Sequence, residues 1–83
     1  MNGEERHAKL ASLTHCKTMG EQAYDEMYDA HSFRDAGDCY RDAKDFFYEA
    51  IALAGQLGLT EEAEALSKRL AHIKSVFHSQ FSV

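Results

Sequence analysis

The sequence contains no proline, and its 5 glycines are scattered along 83 residues. Proline and glycine are the strongest local signals for turns and linkers, so this distribution predicts long, uninterrupted helices. No apolar run approaches the roughly 20 residues that a membrane-spanning helix requires. A chain of this length folds around a single core. We therefore predict one soluble helical domain over residues 1–83.

Positive charge is in deficit, since 9 Lys and Arg against 14 Asp and Glu leave a formal net charge of −5 at pH 7. This sign opposes binding to nucleic-acid phosphates or to an anionic membrane surface. It favours a protein or a basic amphipathic peptide as the partner. The chain begins MNGEER, and no apolar h-region follows, so we expect no secretory signal and a cytoplasmic location.

Motifs for catalysis, cofactors and metals are also missing. The 5 histidines never form an i, i+4 pair, and no Cys-x-x-Cys or His-Glu-x-x-His spacing occurs. No nucleophile elbow or glycine-rich phosphate loop is present either. Cys16 and Cys39 lie inside helical patterns and are expected to be free, buried thiols. The sequence thus predicts no enzyme activity, no metal and no cofactor.

What the sequence does contain is helical periodicity with caps. Asn2 followed by Glu5 resembles a capping box and begins a predicted helix over residues 3–30. Gly20 lies in the middle of this helix, where glycine is unfavourable. It marks either a kink or a close contact with another helix.

A second helix is predicted over residues 33–57. Ser32, with Asp35 three positions later, provides its N-cap signal. Because no glycine or proline separates the first two segments, one continuous helix through Ser32 is the alternative. Apolar residues lie on two faces of the second helix, so we expect it to sit between two neighbours.

A third helix is predicted over residues 61–81. Gly58 is expected to end the preceding helix in a Schellman turn, with Leu59 folding back against Ala54. Thr60 is predicted to be the N-cap of the third helix. Short connections make consecutive helices antiparallel, so the predicted fold is an all-α, up-down-up three-helix bundle. The predicted seam of the third helix consists of Ala63, Leu66, Leu70, Ile73, Phe77 and Phe81.

A family resemblance lies in the C-terminal half. The segment over residues 47–66 contains Tyr48, Ala50 and Ile51 in the order Tyr-x-Ala-Ile, then an alanine-rich stretch and a short Leu-Gly turn. It resembles a helix, turn and next helix of a tetratricopeptide repeat, and the three-helix layout is similar also to the microtubule-interacting-and-transport domain. Both resemblances imply a protein-binding or peptide-binding module whose ligand lies in a groove between helices.

The candidate partner-binding residues are four aspartates on the second helix. They recur at three- and four-residue steps and so share one face. Arg34, Arg41 and Lys44 lie beside them and are expected to neutralise part of their charge. The face is either a solvated surface or a docking site for a basic partner. The four residues are Asp35, Asp38, Asp42 and Asp45.

These observations predict a tetratricopeptide-like interaction or adaptor module that binds a partner helix or peptide in an inter-helix groove. The alternative is a self-associating structural protein, an obligate homodimer built on surplus apolar faces. A small metal-binding or enzymatic bundle is a distant third. The surplus apolar residues are Phe46, Ile51, Val76 and Phe77.

Overall fold

A computed structural model describes residues 2–81, which form three α-helices. These are α1 (Gly3–Asp29), α2 (Phe33–Gln56) and α3 (Thr60–Gln80). No strand occurs within residues 2–81. The predicted all-α, antiparallel three-helix class is confirmed, and each predicted helix end lies within one residue of the observed end.

The helices α1 and α2 begin at their predicted caps. Oδ1 of Asn2 accepts a hydrogen bond from the backbone N–H of Glu5 at 2.8 Å. Oγ of Ser32 accepts one from the backbone N–H of Asp35 at 3.0 Å. Between the two helices, Ala30 and Ser32 have extended backbones, with ψ of 138° and 161°. The break is therefore confirmed, and the alternative of one continuous helix is wrong.

The connection between α2 and α3 is the predicted Schellman turn. The N–H of Leu59 donates to the carbonyl oxygen of Ala54 at 2.9 Å, and the N–H of Gly58 donates to that of Gly55 at 3.1 Å. Gly58 adopts a φ of +74°. Glycine has no Cβ to clash in this left-handed region, which explains why this residue type ends α2.

The predicted cap of α3 is wrong. Thr60 is the first residue within the helix, and Leu59 occupies the cap position without a side-chain hydrogen bond. The carbonyl of Leu59 already accepts from the N–H of Ala63 at 2.9 Å. The Schellman turn explains this shift, because it brings the chain into helical geometry directly after Leu59. Two glutamates in the first turn supply the negative charge that a helix N-terminus favours.

The middle helix, α2, packs against both of its neighbours. On one side, Phe47 approaches Gly20 of α1, so the close-contact alternative for this glycine is confirmed. On the other side, the ring of Tyr40 stacks on Phe77 of α3, with centroids 4.1 Å apart. The buried core consists of Leu13, Cys16, Ala23, Tyr24, Met27, Ala36, Ala43, Phe47, Ala50, Ala54, Leu57, Leu66, Leu70 and Ile73.

The predicted seam of α3 faces this core along the length of the helix. Leu66, Leu70 and Ile73 are buried, while Ala63 and Phe77 are half-buried against them. Because α2 occupies the middle of the bundle, its outward side is bordered by α1 on one flank and by α3 on the other. The position of α2 between α1 and α3 therefore determines which side chains flank the four candidate aspartates.

Candidate protein-interaction surface

The four predicted aspartates are exposed on the outward side of α2. Asp35, Asp38, Asp42 and Asp45 lie opposite the buried side of the helix, on which Ala43 packs. The structure therefore presents all four carboxylates together to solvent, as their spacing predicts. Their surroundings differ, however, on the two flanks of α2.

On the flank of α1, carboxylates repeat every seven residues. Asp35, Asp42 and Glu49 lie in line along α2, since seven residues make almost two helical turns. Glu49 borders α1, because burial and then the Glu49 carboxylate raise the pKa of the Cys16 thiol on that helix. Glu26 of α1 lies near the same groove, because its negative charge contributes to the raised pKa of the Cys39 thiol on α2. We call Asp35, Asp42, Glu49 and Glu26 the acidic lane.

The carboxylates of the acidic lane affect the pKa of the nearby Cys39 thiol. Burial is the largest cause of its raised pKa, followed by the negative charges of Glu26, Asp42 and Asp35 and then by that of Asp38, outside the lane. Thiolate formation is disfavoured next to carboxylates, because like charges repel. Cys39 and Phe46 are half-buried between α1 and α2. They give the acidic lane an apolar floor. Both thiols are free, as predicted. Cys16 is buried, but the prediction of a buried Cys39 is wrong, because this side chain is only half-buried.

On the flank of α3, the charge has the opposite sign. Arg34 and Arg41 lie in line with Tyr48, again at intervals of seven residues. Tyr48 borders α3, because Nζ of Lys74 donates a hydrogen bond to its hydroxyl and also lies 4.9 Å from its ring centroid. Nζ of Lys44 lies 5.2 Å above the ring of Tyr40. We call Arg34, Arg41, Lys44 and Lys74 the basic lane.

Aromatic rings accompany the basic lane. Phe33 is 58% exposed and Tyr48 is 49% exposed, although both are large apolar side chains. Phe33 lies 6.3 Å from Phe77, which stacks on Tyr40 and on Phe81. The basic flank therefore carries protruding rings, whereas the acidic flank carries a half-buried apolar floor.

Asp38 and Asp45 run between the two lanes. Nη2 of Arg41 donates to Oδ1 of Asp38 at 2.9 Å, which confirms the predicted partial neutralisation for this pair. Both side chains are more than half exposed, at 66% and 56%, so the pair contributes little to stability. Lys44 turns instead to Tyr40. The sequence prediction missed Glu26 and Glu49, although the seven-residue repeat carries the signal for Glu49.

A second cluster of charged and aromatic groups joins α1 to α3. Arg69 donates two hydrogen bonds to the carboxylate of Glu21, at 2.6 and 2.8 Å, and its guanidinium lies 4.9 Å from the ring centroid of Tyr24. The hydroxyls of Tyr24 and Tyr28 lie 3.0 Å apart. Burial, followed by this hydrogen bond, raises the pKa of Tyr24 to about 12. Because its groups are paired within the chain, we interpret this cluster as a structural clamp between α1 and α3.

No group of three or more His, Cys, Asp or Glu side chains within residues 2–81 is arranged to hold a metal ion. Over the same part of the chain, no helix combines the length and apolar character needed to cross a membrane. Comparisons with models of protein families, with curated proteins and with solved structures find no match.

Proposed function

We propose that this chain is a protein-interaction or adaptor module that binds a basic, amphipathic helical segment in the groove between α1 and α2. The observation that carries the proposal is the acidic lane, in which carboxylates from two helices flank a half-buried apolar floor. An amphipathic helix with cations beside its apolar stripe complements both features. The resemblance to tetratricopeptide repeats supports the same kind of function.

The length of the acidic lane sets the length of the partner. Asp35 and Glu49 are fourteen positions apart on one helix, which corresponds to about 21 Å. A partner helix of about four turns covers this distance. Cations spaced seven residues apart on that helix would match the repeat of Asp35, Asp42 and Glu49. An apolar residue between them would reach Cys39 and Phe46.

Exposure decides what the carboxylates contribute. Exposed charges are largely screened beyond about 8 Å at physiological ionic strength, so they add little net affinity. They accelerate encounter and fix the register of the partner, whereas apolar contacts slow its dissociation. Removing charge from the acidic surface should therefore act mainly on the association rate.

The test uses a synthetic helical peptide of the stated pattern, with lysines at seven-residue spacing beside a leucine stripe. Its association with the wild-type chain is compared with its association with the acidic-lane double variant Asp42→Asn, Glu49→Gln at several salt concentrations. We expect the variant to bind about tenfold more slowly and with a flatter salt dependence. A variant that removes equal charge from outside the lane, Glu4→Gln with Glu64→Gln, is the matched control.

Equal association rates and equal salt dependence for the two double variants would show that the acidic lane is only a solvated face. If the acidic-lane variant does bind more slowly, pull-down from the native host identifies candidate physiological partners. The same variants are then compared for binding to each partner recovered. Protection of the Cys39 thiol from alkylation by the bound peptide would place the peptide over the acidic lane independently of the kinetics.

Self-association is a second candidate function, and the protruding rings of Phe33 and Tyr48 favour it. The apolar residues that the sequence suggests for a homodimer contribute less exposed surface than Phe33 and Tyr48. Phe46, Ile51 and Val76 are half-buried and pack against the core of their own chain. Any self-association is therefore expected to use the outward side of α2 and its flanks rather than an open core.

A further inference from the structure

We propose that the acidic lane of one copy of this chain binds the basic lane of a second copy, so that copies associate head to tail. The inference rests on the proposed function, because it gives the acidic lane a partner. It adds the identity of that partner and assigns a function to the basic lane, which the proposed function leaves unused.

The two lanes share the same spacing. Asp35 and Asp42 are seven residues apart, and so are Arg34 and Arg41. The acidic lane continues to Glu49 and so spans two such intervals of α2, or about 21 Å, whereas the α2 cations of the basic lane extend from Arg34 to Lys44, or about 15 Å. When the α2 helices of two copies lie side by side, cations at this interval meet carboxylates at the same interval. Charge complementarity thus exists between two surfaces of the same molecule.

Apolar groups complement one another in the same arrangement. Phe33 and Tyr48 protrude beside the basic lane, being about half exposed or more. Cys39 and Phe46 form the half-buried floor of the acidic lane. Protruding rings on one copy therefore face an apolar groove on the next. This contact removes apolar surface from water and so contributes binding free energy that exposed ion pairs alone do not provide.

The charges between the lanes favour a heterologous contact over a two-fold one. A two-fold dimer through a single lane would place like charges opposite each other, which opposes association. A two-fold dimer with parallel α2 helices would pair both lanes at once, but it would bring Asp38 and Asp45, which run between the lanes, against the same residues of the second copy. Pairing unlike lanes leaves one acidic and one basic lane free at the two ends of the assembly. Such contacts continue into a chain of copies or close into a ring.

The contact is expected to be weak. Helix α2 has 24 residues, and is thus about 36 Å long. One face of a helix this long buries well under the roughly 1,200 Å² that marks a stable complex. The net charge of −5 on each copy also opposes approach, although salt screens that long-range repulsion more than it screens contacts. Association should therefore be reversible and dependent on concentration.

The test uses two complementary variants of the whole chain. The acidic-lane variant Asp42→Asn, Glu49→Gln retains an intact basic lane. The basic-lane variant Arg34→Gln, Lys44→Gln retains an intact acidic lane. All four positions lie outside the buried core, and circular dichroism of each variant confirms the fold before association is measured. The control, Glu64→Gln with Lys68→Gln, removes one exposed charge of each sign on α3 and so leaves the net charge unchanged.

Sedimentation velocity is measured from about 10 µM to 1 mM, the range in which contacts of this size associate. We expect the average mass of the wild type and of the control to rise with concentration beyond that of two copies. Each lane variant alone should remain monomeric. An equal mixture of the two variants has one intact pair of lanes, so it should form a two-chain complex that grows no further.

Four outcomes would overturn the proposal: a wild type that stays monomeric to the highest concentration, a mixture of variants that does not associate, a dimer that persists when only one lane is intact, or a wild type that stops at two copies. Either of the last two would indicate a two-fold contact. The synthetic basic peptide separates this proposal from the proposed function. If the peptide binds the acidic lane while the wild type stays monomeric, only the head-to-tail contact is wrong. If the peptide does not bind and the wild type stays monomeric, both the proposed function and the head-to-tail contact are wrong.

Discussion

The ring of Phe47 occupies the space that a side chain at position 20 would need. A Cβ atom placed on Gly20 would lie 2.8 Å from Cε2 and 2.9 Å from Cδ2 of this ring, and 3.4 Å from Cβ of Phe46. Phe47 is 1% exposed and ranks among the largest fully buried side chains, so its ring has no free space to move into. The absence of a side chain in α1 is therefore what allows α2 to pack so closely.

We predict that Gly20→Ala lowers the free energy of unfolding, because overpacking a core usually costs about 1–3 kcal/mol. This loss opposes a gain of up to about 1 kcal/mol from the better helix propensity of alanine. The urea midpoint should therefore fall. Gly55→Ala is the control, because no atom beyond its chain neighbours and the nearby backbone of its own helix lies within 4 Å of a Cβ at that position. Its midpoint should rise, and a rise for both variants would contradict the close-packing argument.

The caps of α2 and α3 predict different responses to alanine. Oγ of Ser32 satisfies the N–H of Asp35, so Ser32→Ala should destabilise the chain by about 1 kcal/mol. Thr60 has no such role, since it lies inside the first turn of α3, and we expect Thr60→Ala to change stability by less than about 0.5 kcal/mol. Thermal unfolding followed by circular dichroism measures both. Equal losses would restore Thr60 as a cap.

The seam of α3 should respond unequally along its length. Leu70 is buried at 3% exposure, so Leu70→Ala should cost about 2–5 kcal/mol through lost burial and the cavity it leaves. Phe77 is half-buried, and its stack on Tyr40 is its principal contact with α2. We expect Phe77→Ala to cost about 1–3 kcal/mol. Urea unfolding of both variants checks the order, and a larger loss for Phe77 would contradict it.

Local signals made most of this fold predictable. The caps at Asn2 and Ser32 and the glycine of the Schellman turn act within a few residues, so the sequence specifies them directly. Thr60 shows the limit of such signals. Its side chain suits an N-cap, but the turn geometry at Gly58 and Leu59 is satisfied first and moves the start of α3.

The candidate site was predictable only in part, because charge sorting depends on which helices flank α2. The spacing of the aspartates shows that they share a face. It does not show that Glu26, from a different helix, faces the same groove, or that the cations of α2 border α3. Those facts follow from the packing of Phe47 against Gly20 and of Tyr40 against Phe77, which joins residues far apart in the sequence.

The buried Tyr24 should make the chain sensitive to alkali. Burial and its hydrogen bond with Tyr28 raise the pKa of Tyr24 from 10.0 to about 12 in the folded chain. A raised pKa means that the unfolded state loses its proton first, so stability is complete below pH 10 and falls as the pH rises toward 12. Absorbance titration of tyrosinate should show a late ionisation step near pH 12. Tyr24→Phe should remove this late step, and its persistence would contradict the assignment.

The thiol of Cys39 provides a chemical measure of the acidic lane. Its pKa is raised by burial and then by Glu26 and Asp42, so little reactive thiolate forms at pH 8. Asp42→Asn should lower this pKa and accelerate alkylation of Cys39, read peptide by peptide by mass spectrometry. Added salt should accelerate the wild type toward the variant, because it screens carboxylates but leaves burial unchanged. Glu64→Gln, outside the lane, should have no effect. If Asp42→Asn and Glu64→Gln react alike at low salt, the carboxylates do not converge on this groove.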